Sequence, residues 1–532
     1  VLARTITAIV TAVCLAAIGG FTVESVKAGD LASFDSQLCA LPPEWLQTIQ
    51  RGYQQGHSAQ ISFLPDTPIY FAGGGDGWSH SGPWPYLQQV PLVFYGPGVV
   101  DKLGMVNDPG HTLADVAPTL AALLRGSLST ADGSVLDEVS RLERSVRQPR
   151  PRLIFTMVWD GGGWNTLRAH PDAWPNLARI MDEGITYNAD VGSSPSVTPA
   201  IHATLGTGVF PATHGITDVP LLDDTGRAVD PYLDGASGRF LEVPTLAERW
   251  DEQTGNEALI GMVGHVPWHL GMIGVGAERP GGDKDDAAWL DLDTNEWITN
   301  PDHYSLPASF GDQADLEDRI AVVDDGTGHW MGIPLDDPAR YEELPAFAGH
   351  HTEELLGLMD ARGYGRDAVS DLMFTNYKQI DLLGHYFNMA SPQVEAAITA
   401  TDDALGQIIS YLDDNVGRGR YVFVMTADHG LQPTAEAVDA YGIDSNEMRR
   451  DLEDRFGPVV QDIAPTEVFL DEAALEAAGS TVEEVARFVG DYRLGDNATG
   501  VATQMLGAGS YDPYDRVMAI AVPSHLLSEV SC

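Results

Sequence analysis

Seven residues in this chain have types and spacing that suit metal chemistry. Asp160 follows the apolar run FTMVW and precedes three glycines. Asp381 and His385 stand four apart in DLLGH. On a helix they share a face, and in a loop Gly384 would still let the backbone approach an ion. Asp428 and His429 are adjacent in ADHG, directly after the apolar run YVFVMT. His80 sits in the turn-like GWSHSG. Singly, each has an ordinary explanation: a cap, a solvated helix face, a surface turn. Together they offer three carboxylates and three imidazoles, donors that suit zinc or a similar divalent ion. The seventh is Thr198, in SSPSVTPAIHATLGTG, where a helix is predicted to begin. It is either an N-cap or a hydroxyl activated by metal coordination.

Apolar runs must carry these residues. LIFTMVW before Asp160, YVFVMT before Asp428, VPLVFYG at 90–96 and VMAIAVP at 517–523 read as buried strands. Helical patterns cover 112–124, the stretch after Trp174 and roughly 481–490. Strands alternating with helices predict an α/β protein with a largely buried mixed sheet. In such sheets, function gathers at strand ends.

Composition narrows the chemistry. The 532 residues are 44% hydrophobic and 20% charged, which excludes a disordered tail or membrane bundle. Acidic residues number 77 against 30 basic, a formal charge of -47. A nucleic-acid-coating role is therefore excluded, while a small phosphorylated substrate is not, because bound cations reverse a local field. Arg4 and the apolar stretch from about Ile6 to Phe21 read as a secretory signal over 1–28, implying a secreted or periplasmic protein. No later run is long and apolar enough for a membrane span. Removing the signal removes Cys14 and leaves Cys39 and Cys532, a pair free to form a disulfide. No C-x-x-C pair exists, so a cysteine metal or redox site lacks support.

The succession WDGGG, SVTP, TGVFPATHGI, DLLGH and ADHG resembles the alkaline phosphatase superfamily, in its nucleotide pyrophosphatase/phosphodiesterase branch. The resemblance spans most of 152–525. It implies an alkaline phosphatase-like mixed sheet flanked by helices, with an inserted lid and α+β lobes. It also implies two divalent ions, zinc foremost, and a threonine nucleophile, Thr198. Family members carry another metal-binding histidine after DHG, but the later His525 lies beyond the last strand. RGYQQGHSAQISF, GWSHSGPWPYLQQVPLVFYGPG and TLADVAPTLAALL resemble the family's C-terminal stretch instead, which implies circular permutation. His80 then joins Asp381 and His385 at one metal, with Asp160, Thr198, Asp428 and His429 at the other. Cys39 and Cys532 would join the ends that the permutation cut, with Cα atoms within about 7 Å.

The expected organisation is a signal at 1–28, the permuted C-terminal part of the core at 29–124, and a linker at 125–150. Core follows at 151–218 and 371–430, interrupted by an insertion or lid at 219–370. An inserted α/β lobe covers 431–514, and a final core strand lies in 515–532. Related monoesterases grip phosphate with a Lys-x-Arg pair. The matching stretch here, GHVPWHLGMIG, places Trp268 and Leu270 there. That departure favours a phosphodiester or phosphoanhydride over a monoester. Trp268, His269 and His202 are the candidate substrate contacts, His202 because the amide expected after the nucleophile is missing. A phosphomonoesterase and an inactive exported metal- or phosphate-binding protein are the alternatives.

Overall fold

A computed structural model describes residues 33–66, 69–73, 77–128, 131–140, 150–233, 235–311, 316–433, 438, 440–497 and 512–532. The signal at 1–28 lies outside the described residues. The strands that build the two larger sheets are β1 (Ile61–Pro65), β2 (Gln89–Tyr95), β3 (Gly104–Val106), β4 (Leu153–Trp159), β5 (Ile185–Asp190), β6 (Ile260–Val263), β7 (Asp286–Asp291), β8 (Glu296–Ile298), β9 (Asp371–Tyr377), β10 (Tyr421–Thr426), β11 (Val460–Ala464), β12 (Glu467–Leu470) and β13 (Met518–Pro523). Nine of them form the central sheet, in the order β8-β7-β6-β9-β4-β10-β2-β5-β3. Strands β6, β9, β4 and β10 run parallel, whereas β2 pairs antiparallel with both β10 and β5. The mixed sheet expected from the sequence is therefore present.

Side chains of β4 alternate between two apolar layers. Ile154 and Val158 enter one, while Leu153, Phe155, Met157 and Trp159 enter the other. Helices α1 (Val116–Leu124), α3 (Thr198–Thr207) and α4 (Leu246–Thr254) pack in the first layer. Helices α2 (Pro175–Glu183), α5 (Pro345–Arg362), α6 (Gln379–Phe387) and α7 (Pro392–Tyr411) cover the second. Burial on both faces explains why the central strands are nearly continuous apolar runs.

Three boundary expectations change. Residues 219–370 are not solely an insertion, because they supply β6, β7, β8, α4 and α5 to the core. The period there is short and interrupted by Gly, Pro and Asp, which hides its strands. In the expected linker at 125–150, Leu136 and Val139 are buried against α1, and 141–149 lie outside the described residues. The last apolar strand, β13, pairs antiparallel with β1 in a separate four-stranded sheet, order β11-β12-β1-β13. An apolar run specifies burial but not which sheet buries it. Cys39 and Cys532 form a disulfide with Cα atoms 5.5 Å apart, as the sequence suggested.

A buried acid pair joins the second sheet to the segment that follows α3. Glu467 on β12 accepts from the Ala59 amide and faces the carboxyl of Asp218. A proton shared between them would satisfy Asp218 Oδ2, which has no other partner among the described residues. Burial raises both groups above the ordinary carboxylate range, Glu467 to about 8. The folded chain thus holds a proton that the unfolded chain releases near pH 4 to 5, and stability falls as pH rises from there through about 8. We expect a lower thermal midpoint at pH 8.5 than at pH 6, with about 1.4 kcal/mol lost for each pH unit crossed inside that window. Glu467→Gln should flatten this slope; an unchanged slope in that variant would refute the assignment.

Candidate metal centre

Three adjacent parallel strands, β9, β4 and β10, present chemistry at their C-terminal ends. Asp160 immediately follows β4, and Asp428 and His429 follow β10. Beyond β9 the chain turns into α6, whose first turn carries Asp381, with His385 one turn later. The glycines after Asp160 make this convergence possible. Gly161 has φ +70°, and a Cβ on Gly163 would lie 2.6 Å from Gly430 Cα. Thr198 is the first residue of α3, followed by Pro199, and is buried against the same centre. A helix N-terminus there favours negative charge.

Two ligand groups result. His80, Asp381 and His385 form one, and Asp160, Asp428 and His429 the other, each with donor atoms within 4.8 Å. Asp381 Oδ1 lies 3.6 Å from His80 Nε2 and 3.3 Å from His385 Nε2. His429 Nε2 lies 3.4 Å from Asp160 Oδ1 and 3.6 Å from Asp428 Oδ2. The rings of His80 and His429 stack at 3.5 Å, so the groups adjoin.

The donor set fits two ions. Asp381 Oδ1, Asp428 Oδ2 and His429 Nε2 are buried without hydrogen-bond partners among the described residues. Such orphaned atoms are costly unless something binds them. The histidines are oriented from behind: His80 Nδ1 donates to the Ser196 carbonyl and His429 Nδ1 to that of Gly430. Both leave Nε2 facing the site. Burial, then the neighbouring His429, holds His80 well below its ordinary pKa, so it is neutral and able to ligate.

The sequence reading missed Lys378. Its ammonium donates to Asp160 Oδ1 at 2.9 Å and to Thr198 Oγ1 at 2.9 Å, and pairs with Asp381 Oδ2 at 2.8 Å. One cation thus links both ligand groups to the Thr198 hydroxyl, using all three of its N–H bonds. Burial opposes its charge, but Asp160 and then Asp381 prevail and raise its pKa. The available signal was position: Lys378 is one of four lysines and stands three residues before Asp381, on the same helical face.

The expected substrate contacts fare differently. His202 is fully buried, with Nδ1 donating to the Thr198 carbonyl at 2.7 Å and Nε2 accepting from Asn376 at 3.0 Å. Asn376 also donates to Asp160 Oδ2 at 3.0 Å. Both ring nitrogens being engaged, His202 braces the start of α3 against β9. His269 is equally buried, its ring 4.6 Å from that of His202, so it packs against this brace and offers no open face. Trp268 is partly exposed, donates to Asp230 Oδ2 at 2.8 Å, and lies with its ring 5.9 Å from Lys378 Nζ. The charge missing from the Trp268 stretch in sequence therefore reaches its neighbourhood from the end of β9.

Comparison with known proteins identifies the family and the fold. The family model described as type I phosphodiesterase/nucleotide pyrophosphatase matches residues 155–504. A Myroides odoratus protein named calcium-transporting ATPase is 24% identical over 426 residues, covering 67% of this chain and 76% of its own. Alkaline phosphatase PafA of Elizabethkingia meningoseptica is 22% identical over 402 residues, covering 64% and 73%. A crystal structure of wild-type alkaline phosphatase PafA superposes with a TM-score of 0.52 at 19% identity, covering 64% of this chain and 76% of that one. It shares the fold. With two ligand groups on that fold and a family match across most of its length, this chain belongs to the type I phosphodiesterase/nucleotide pyrophosphatase family of the alkaline phosphatase superfamily and is a metal-dependent hydrolase of phosphoesters.

Proposed function

We propose that the protein is an exported phosphodiesterase or nucleotide pyrophosphatase-type hydrolase that uses Thr198 as its nucleophile. One observation carries this reading: the Thr198 hydroxyl is held by Lys378, whose other contacts are a carboxylate from each ligand group. His80, Asp381 and His385 would hold one divalent ion, and Asp160, Asp428, His429 and Thr198 the other, zinc being suited to these donors. When bound, such ions stabilise charge on a phosphoryl group as Lewis acids.

The chain's own residues account for the remainder. Lys378 and the His202 brace orient the hydroxyl at the start of α3. The Thr198 Oγ–phosphorus bond forms as the bond to the leaving oxygen breaks. The hydroxyl proton is released, and the leaving oxygen is protonated from water. Water then cleaves the phosphothreonine, restoring the hydroxyl and releasing the phosphate product. His80 comes from the N-terminal part of the chain, which supports a circularly permuted order. The Cys39–Cys532 disulfide supports an oxidising, extracytoplasmic location. Among the described residues, no helix is long and apolar enough to cross a membrane.

For substrate, a phosphodiester or phosphoanhydride is favoured by the indole of Trp268 beside the site and by the absence of Lys or Arg from 264–273. Apolar and aromatic surface accommodates a second organic group better than a second negative charge. The monoesterase reading has one specific support, the Lys378 ammonium near Trp268, and relatives named alkaline phosphatases accord with it. We expect zinc-reconstituted enzyme to show a higher kcat/KM for an aryl phosphodiester than for the monoester with the same leaving group. The reverse preference, at equal pH and metal loading, would replace the diesterase reading with the monoesterase one.

A further inference from the structure

A second group of acids lies at the opposite end of α4 from its capped start. Asp251 belongs to α4, and Asp283 and Asp285 belong to the loop that enters β7. One oxygen from each lies within 4.8 Å of the other two. Asp251 and Asp285 are only 5% and 8% exposed. Asp251 Oδ1 is enclosed and has no hydrogen-bond partner among the described residues. Nearby cations are committed elsewhere. Lys284 Nζ donates to the Pro301 carbonyl, Arg279 pairs with Glu248 at 3.1 Å, and Arg362 pairs with Asp286 at 2.7 Å.

Three facing carboxylates, two of them buried, are costly without a counter-charge. The charged neighbours that act most strongly on Asp285 are acids: Asp251, Asp283, Glu248 and Asp286. Burial and these neighbours raise Asp285 well above its ordinary range; burial and Asp283 raise Asp251 to about 7. A proton would relieve part of this repulsion, but a cation would relieve more, by engaging all three groups together.

We propose that Asp251, Asp283 and Asp285 form a cation site separate from the catalytic centre, and that it takes Ca2+. The donors are all hard oxygens, with no imidazole or thiolate to select zinc. Asp283 is exposed, so water completes the shell from that side. Calcium accepts six to eight oxygens in irregular geometry, whereas magnesium demands a near-ideal octahedron. The site ties α4 to the loop before β7. The same helix holds the segment carrying Trp268 and His269, through Thr245 Oγ1 to the Ile273 carbonyl and through the Val275 amide to Glu248. Calcium would therefore stiffen the wall next to the active site without entering it.

The test uses full-length, zinc-loaded protein, with Mg2+ as the control for charge screening. At about 5 mM Ca2+, in the range where extracellular modules bind, the thermal midpoint should rise by about 2 °C or more and exceed the Mg2+ response. Tb3+ should give luminescence sensitised by the adjoining Trp250, displaced by Ca2+. Metal analysis should find calcium in addition to an unchanged zinc content. Asp285→Asn and Asp251→Asn should abolish these responses. Asp283→Asn, at an exposed position, should weaken them and serves if a buried variant fails to fold. Equal responses to Ca2+ and Mg2+, no response at all, or full Tb3+ luminescence in the Asn variants would overturn the proposal.

Discussion

Thr198→Ala is expected to lower kcat by at least about a thousandfold in fully zinc-loaded protein, since the proposed mechanism takes its attacking oxygen from Thr198. The side chain touches Lys378 Nζ at 2.9 Å and starts α3, so its loss removes one acceptor from a buried ammonium. The cost to stability should be modest, about 1–3 kcal/mol. Zinc content should stay near wild type, because His80, Asp160, Asp381, His385, Asp428 and His429 remain. Acid quenching during turnover should trap phosphothreonine in the wild type and none in the variant. Thr198→Ser keeps the hydroxyl and should retain much of the activity. Near-wild-type turnover by metal-loaded Thr198→Ala would falsify the nucleophile assignment whatever substrate is used.

Lys378→Met should have the second largest effect, lowering kcat by about a hundred- to a thousandfold, comparable to removing an oriented charged donor from an active site. The change should fall mainly on kcat, because Lys378 contacts the proposed nucleophile, Thr198. Metal-free protein should also lose about 3–5 kcal/mol of stability, since Asp160 and Asp381 both lose their lysine partner in a buried site. Zinc loading should recover much of that loss by neutralising the same carboxylates. A variant whose metal-free and zinc-loaded midpoints fall equally would show that Lys378 serves packing alone. Lys378→Arg should not rescue, because a planar guanidinium cannot direct three N–H bonds to Asp160, Asp381 and Thr198 as a compact ammonium does.

The metal groups were legible because their residues sit in recognisable local contexts. Asp160 and the Asp428–His429 pair follow apolar runs, and Asp381 and His385 share a helical spacing. Those runs form β4 and β10, with α6 carrying Asp381 and His385. Lys378 was not legible, since a lysine after an apolar strand reads as an edge to solvent until its neighbours are known. The contacts of His202 were hidden for a related reason. Sequence shows a histidine four residues beyond Thr198, but only packing shows that both nitrogens are used, by the Thr198 carbonyl and by Asn376.

The sequence by itself determined the donor types, the alternation of buried strands with helices, and the pairing of the two remaining cysteines. These follow from local chemistry: a carboxylate or imidazole after an apolar run, hydrophobic period, and residue count. Tertiary structure decided which apolar runs share a sheet, placing β6 and β7 in the core and β13 beside β1. It also brought Lys378 between Asp160 and Asp381 and set Asp251 against Asp283 and Asp285. The physical reason is that strand pairing and charge contact depend on burial and distance between segments far apart in the chain. Hydrophobic pattern reports how much a segment must bury, and only the folded packing fixes what it is buried against.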